Sequence, residues 1–218
     1  GAQGMDAEVV VVDDGSADDT TARTLAFAAS LPGLRVLRLA ENRGKGYAVR
    51  VGMLAGTGRW RAFLDADGST DPGELDKLFA TGAAVAIASV AVEGAVLDRP
   101  QSTVRASLGR FGNLVIQRLV LPGIEDSQRG CKLFRGDVAA DVFTRCRIDR
   151  WGFDVEALAL ARTLGHEPVE VGVEWEHRPV GHVRPWHYVT TIGDVLRVRQ
   201  SVGFQPPVGA IEAPATPR

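Results

Sequence analysis

Apolar runs and segments of helical spacing alternate along the chain, and Gly, Pro or an acid marks each boundary. Residues 8–12 include four consecutive valines, the pattern of a strand buried on both faces of a parallel sheet, and stop at Asp13-Asp14-Gly15-Ser16. Ala22, Leu25, Ala26 and Ala29 then recur at helical spacing, with Ser16 as the expected cap and Pro32-Gly33 as the stop. A second strand over 34–39 runs into Glu41-Asn42-Arg43-Gly44-Lys45-Gly46. The helix after it carries small residues, Ala48, Val51, Gly52 and Ala55, on one face, which predicts close packing on a sheet. Residues 60–64 form the next strand and end at Asp65-Ala66-Asp67-Gly68-Ser69. Asp71, Pro72 and Glu74 carry the cap pattern of a helix through Phe79, and 83–90 reads as another buried strand.

The second half is less regular. Residues 104–120 read as a helix with Leu108, Phe111, Val115 and Leu119 on one side, 131–134 as a short strand, and Asp154 as the cap of a helix ending at Gly165. Val169, Val171, Val173 and Trp175 alternate with Glu170, Gly172, Glu174 and Glu176, the half-buried strand pattern. A helix over about 187–202 precedes a Pro-rich tail. The order of elements predicts an α/β fold with a mostly parallel central sheet flanked by helices, as one domain over 1–204 followed by a disordered tail at 205–218.

Composition narrows the function. With 45% apolar and 24% charged residues in 218, the chain has the makeup of a globular domain. A net charge of −2 argues against a general nucleic-acid binder. The longest uncharged run, 78–92, is too short for a spanning helix, and the first eight residues lack the features of a signal peptide. Only Cys131 and Cys146 are available to pair, so a reducing, cytosolic setting is the expectation.

In an open α/β sheet, ligands collect outside the carboxyl ends of the strands, where this sequence puts Asp13-Asp14 and Asp65-Ala66-Asp67. Paired carboxylates there suit a hard divalent cation that keeps positions for water and phosphate oxygens. They equally suit capping of the following helix. Arg43-Gly44-Lys45-Gly46 before a helix can present N–H groups and cations to an anion, although it lacks the spacing of a P-loop.

Five segments in register carry a resemblance: Asp13-Asp14-Gly15-Ser16, residues 42–50, Asp65-Ala66-Asp67-Gly68, residues 126–134 and residues 150–156. Together they resemble the polyprenyl-phosphate sugar synthases of glycosyltransferase family 2, dolichyl-phosphate β-glucosyltransferases above all and dolichyl-phosphate mannose synthases next. The resemblance implies a GT-A fold, Rossmann-like and nucleotide-sugar-binding. It implies transfer of a hexose, glucose first, from a nucleotide diphosphate sugar (UDP-glucose or GDP-mannose) to a polyprenyl phosphate, with inversion and with Mg²⁺ or Mn²⁺. It also implies a peripheral enzyme on the cytoplasmic face of a membrane.

By position in the family, Asp14 is expected at the nucleotide base and Asp65 at the ribose or base, with Asp13, Lys45 and Ala66 beside them. Asp67 is expected at the metal with Ser69, and Arg178 at the donor diphosphate. Asp126, Gln128, Arg129 and Lys132 are expected on the sugar and acceptor side, Asp126 and Lys132 as catalytic groups with Asp67. Arg105 and Arg110 are the candidates for the acceptor phosphate, and a solvated helix face is the alternative for both. The family begins with an earlier strand ending in a Pro-Ala-Tyr-Asn-Glu-like loop, which the resemblance does not find here. Arg129 and Val90 also stand where relatives usually carry Cys and Arg. Transfer to a saccharide or small molecule, or a non-catalytic nucleotide-sugar-binding module, are the rival readings.

Overall fold

The computed structural model describes residues 7–28, 30–31, 33–97, 103–176 and 185–203, without the side chains of 103–108 and 185–189. The strands that the pattern predicts before residue 135 form, but the sheet is interrupted. Strand β1 (Val9–Asp13) pairs in parallel with β2 (Leu34–Arg38), Val9 opposite Leu34 through Asp13 opposite Arg38. A separate four-stranded sheet has the order β3 (Trp60–Leu64), β6 (Cys131–Arg135), β4 (Val85–Ser89), β7 (Val169–Gly172). β3, β4 and β7 share one direction and β6 runs against them. Helix α2 (Lys45–Ala55) packs on both β1 and β3 and bridges the two sheets. Its small face does what the pattern predicts: a Cβ on Gly52 would lie 3.1 Å from Val12 Cγ2.

The interruption corrects two expectations. β1 is not buried on both faces; Val9 is half exposed, and no strand joins β1 to β3 among the described residues. Helix α1 (Thr20–Ala28), read as amphipathic, buries none of its residues, and Phe27 stands 70% exposed. The helix also starts later than its expected cap. Asp18 Oδ1 accepts from the Thr20 N–H at 3.0 Å, while the Ser16 N–H turns back to Asp13 Oδ1 at 2.8 Å.

The core lies in two clusters, one on each face of the four-stranded sheet, because alternate residues of β4 and β6 face opposite ways. Val85, Ile87 and Phe134 face α5 (Gly136–Arg145) and α6 (Phe153–Thr163), where Phe134 meets Phe143 edge-on at 5.3 Å. Ala86, Ala88 and Leu133 face α3 (Leu75–Ala80) and its Leu78, with Trp60 edge-on to Phe79 at 6.0 Å. Burial of each large side chain here contributes about 1.5–3 kcal/mol. Asp71 caps the 3-10 turn before α3 as expected, accepting from the Gly73 N–H at 2.7 Å.

The alternation over 169–175 does not make one strand. β7 ends at Gly172, whose missing Cβ leaves room for the backbone of residues 93–95, 2.4–2.7 Å from where a methyl would sit. Beyond the buried Val173, β8 (Glu174–Trp175) pairs with β5 (Val96–Leu97) instead. Helices α4 (Thr103–Leu119) and α7 (Pro185–Ser201) pack on each other. Among the described residues no helix is long and apolar enough to cross a membrane. The tail at 205–218 lies outside the described residues.

Candidate active site

The acids at the end of β1 organise backbone. Asp13 is buried; Oδ1 accepts from the Ser16 N–H, and Oδ2 accepts from the Thr21 hydroxyl, holding its carboxyl below the usual range. Asp14 uses one oxygen on the Arg43 N–H (2.9 Å) and the other on the Gly44 N–H (2.8 Å), so it clamps the Gly-rich loop. Gly44 sits at φ 111° with Asp149 O only 2.6 Å from where a Cβ would be, which is why this loop needs glycine there.

Lys45, the first residue of α2, places Nζ 2.6 Å from Asp65 Oδ1 and 5.8 Å from the Trp151 and Phe153 ring centroids. Asp65 leaves β3 with its N–H on Gly130 O at 2.7 Å. Its carboxylate lies directly over Gly130, where a Cβ would fall 1.9–2.3 Å from the carboxyl atoms. Gly130→Ala is therefore expected to fold but to push the Asp65 carboxylate off Lys45, readable in NMR as shifts of the Asp65 and Lys45 side-chain resonances with the unfolding midpoint little changed. Ala66 and Asp67 are exposed. Asp67 Oδ1 accepts from the Ser69 N–H at 2.9 Å, and Oδ2 has no protein partner among the described residues. Ser69 is buried below it, its carbonyl taken by the Glu176 N–H.

The second half supplies a matching wall. Asp126 is buried and its Oδ2 accepts from Arg129 Nε at 2.7 Å and from the Val90 N–H at 3.2 Å. Arg129 lies over the Trp175 ring at 4.4 Å, and Trp175 bridges to Thr70, which closes the wall onto the Asp67 loop. Gln128 is exposed beside it.

Lys132 departs from its expected place. It is 0% exposed, with Nζ on Arg129 O (2.6 Å), on Asp154 Oδ1 (2.5 Å) and near the Phe63 ring (5.3 Å). Because its strand position faces inward between β3 and β4, it supports the site from beneath instead of lining it. Asp154 is correspondingly not a cap; α6 starts after Gly152, and burial pushes the Asp154 carboxyl up against the pull of Lys132 and Lys45. Arg110 is exposed on α4; the Arg105 side chain and all of Arg178 lie outside the described residues.

Three supporting acids are not among the expected site residues, although Glu156 lies in the 150–156 segment that carries the resemblance. Glu170 accepts from the Glu125 and Asp126 N–H groups (2.7 and 2.9 Å), fixing the Asp126 turn. Glu156 accepts from the Arg147 and Ile148 N–H groups, and its carboxyl is pushed up by burial. Asp149 binds Arg43 (3.2 Å) and Arg50 (2.8 Å), tying the 146–150 loop to α2.

Among the described residues no cluster of three or more His, Cys, Asp or Glu side chains stands ready for a metal ion. What stands there is one exposed carboxylate, Asp67, with an open oxygen, next to Asp65. That donor set fits a hard cation whose shell is filled mainly by water and diphosphate oxygens.

The sheet order and its crown of acids and glycines are those of a GT-A-type glycosyltransferase fold. Glucosyl-3-phosphoglycerate synthase from Mycobacterium tuberculosis, solved in complex with Mn²⁺, uridine diphosphate and phosphoglyceric acid, shares it at TM-score 0.68 and 18% identity, over 95% of this chain and 72% of that one. The model of glycosyl transferase family 2 matches residues 2–143, and the chain belongs to that family. Curated relatives include the dolichyl-phosphate beta-glucosyltransferases of Drosophila melanogaster, at 37% identity, and of Dictyostelium discoideum, at 31%. Each match covers 88% of this chain and 62% of the relative, so the chain spans about three fifths of the length of these relatives.

Proposed function

We propose that this domain transfers glucose from a nucleotide diphosphate sugar, UDP-glucose first, to a dolichyl-type polyprenyl phosphate, inverting the anomeric carbon. The observation that carries the reading is the identity of 31–37% with dolichyl-phosphate beta-glucosyltransferases over 88% of the chain. An acceptor phosphate oxygen bonds to the anomeric carbon as the bond from that carbon to the diphosphate oxygen breaks, and the nucleoside diphosphate leaves. The acceptor is already an anion at neutral pH, so no strong base is needed and the main task is to stabilise charge on the leaving group.

Residues divide that task. Asp67, with Ser69 behind it, would hold Mg²⁺ or Mn²⁺, which when bound supplies Lewis-acid stabilisation of the diphosphate. Lys45 neutralises Asp65 and stands ready for a donor oxygen, while Asp14 keeps the Gly-rich loop in shape. Asp126 orients Arg129 over Trp175 on the acceptor side, and Lys132 with Asp154 stiffens that wall from below. Arg105 and Arg110 on α4 take the acceptor phosphate, and Arg178 the donor diphosphate. The acceptor is met at a membrane surface. The paired helices α4 and α7, which leave Phe111, Leu114, Ile192 and Leu196 exposed near Arg118, support that reading.

The test is a panel of nucleotide sugars with a short polyprenyl phosphate and Mg²⁺ or Mn²⁺, analysed by mass. Hexosyl-phosphoryl-polyprenol from UDP-glucose is the expected product. Transfer to a free saccharide but not to the polyprenyl phosphate would overturn the acceptor, and nucleotide binding without any transfer would overturn the enzyme.

A further inference from the structure

A second concave site lies behind the Gly-rich loop. The end of α5, the loop 146–150, α6 and the carboxyl half of α7 enclose a cleft of about 730 Å³, within the size range of small-molecule sites. Ile148, Leu160 and Val202 give it an apolar floor, and Arg145, Arg147, Arg150 and Arg197 line it with guanidinium groups.

The acids on the same walls are already engaged. Glu156 accepts from the Arg147 and Ile148 N–H groups, Asp149 is bound by Arg43 and Arg50 from the α2 side, and Asp194 pairs with Arg197 at 2.9 Å. Arg145 pairs with Asp141 of its own helix. Two guanidiniums have no such partner. Arg147 donates only to the carbonyls of Thr144 and Cys146, and Arg150 has no hydrogen bond or ion pair among the described residues. Two guanidiniums that form no ion pair among the described residues, Arg147 with only the field of Glu156 upon it, line an apolar-floored hollow and call for an anion with an organic body.

We propose that this cleft binds a phosphoryl group, held by the forks of Arg147 and Arg150, with the body of the ligand on Ile148, Leu160 and Val202. A phosphoryl dianion offers enough oxygens for both planar forks at once, which a single carboxylate does not. The site is distinct from the mouth at Asp65 and Asp67 but shares a wall with its loop. Asp149 O accepts from the Tyr47 N–H at 3.0 Å, and Gly46 packs against Ile148 O. A ligand in the cleft therefore presses on the segment that seats α2.

The phosphoryl group can arrive free in solution or as a lipid headgroup, and two arms of one experiment separate these. In the first, amide NMR of the full chain follows titration with inorganic phosphate, with acetate as the control anion. The expected result is shifts at residues 147–150 and 193–197, with affinity falling about tenfold or more in Arg147→Gln/Arg150→Gln. If the loss of the Arg147 contacts to Thr144 and Cys146 unfolds that variant, Arg150→Gln alone carries the comparison, since the Arg150 side chain has no hydrogen bond to lose among the described residues. In the second arm, phosphatidylcholine vesicles with and without phosphatidic acid are tested by flotation. Retention by the phosphatidic acid vesicles, lost in the variant, assigns a lipid headgroup; phosphate binding without flotation assigns a soluble ligand. No shift at these residues, equal affinity in the variant, or equal response to acetate overturns the proposal. None of these readouts depends on sugar transfer.

Discussion

Asp67→Asn is expected to lower turnover by about a thousandfold while the protein stays folded. The side chain is exposed beyond the end of β3, and its only hydrogen bond among the described residues is with the Ser69 N–H. The amide oxygen of Asn can still accept that bond. What the substitution removes is the negative charge and the open oxygen that would hold the cation. An exposed substitution without core contacts shifts stability by about 0.5 kcal/mol or less, so thermal unfolding should barely move. Initial rates against Mg²⁺ or Mn²⁺ concentration make the test specific. If the variant turns over as fast as the wild type at limiting metal, Asp67 is not the metal ligand.

Lys132→Met is the complementary case, a loss of stability with the mouth left chemically complete. The ammonium has three partners among the described residues, Asp154, the Arg129 carbonyl and the Phe63 face, and the side chain is fully buried. Methionine fills the volume but leaves the Asp154 carboxylate buried beside apolar surface, which costs about 3–5 kcal/mol, a large share of a typical domain's stability. Lys132→Met/Asp154→Leu should recover most of that loss, because the orphaned charge goes as well. The pH dependence carries a sign. Burial raises the Asp154 carboxyl above its unfolded value. The folded state therefore keeps its proton longer than the unfolded chain, and stability is lost as pH rises from the unfolded value to the folded one. The single variant should be least impaired near about pH 4 and worst near about pH 7 in urea unfolding, and the double variant should lack that slope. Equal destabilisation of both variants at all pH values would refute the account.

Local rules carried the sequence reading a long way. Four valines, small residues on one face of α2 and the Asp71-Pro72 start of a helix are statements about neighbours in the chain, and each fixed an element. Readings that depended on a distant partner went astray. Lys132 matches a site motif by position, yet its burial follows from β6 being inserted between β3 and β4, which residues 131–134 do not reveal. Asp154 carries the signature of a cap because Asp is common there, and only the lysine opposite explains its place inside. Glu170 is an alternating polar residue in sequence and the anchor of the Asp126 turn in space, because the chain returns 44 residues later to meet it. The alternation over 169–175 concealed a break because Gly172 reads as just another small polar-face residue until the 93–95 backbone is placed against it.

Among the described residues the two halves of the mouth are anchored differently. Asp13 and Asp14 ride on a two-stranded ribbon whose helix buries nothing, while Asp65, Asp126 and Arg129 are anchored in the four-stranded core. With few buried contacts the ribbon opens at a lower free-energy cost than the rest, and its amides exchange with solvent first. Any nucleotide that touches both halves favours the closed ribbon in proportion to its occupancy, by about 2.7 kcal/mol at a hundred times its dissociation constant. Among the described residues, the ribbon is thus the most sensitive gauge of any ligand that bridges the two halves.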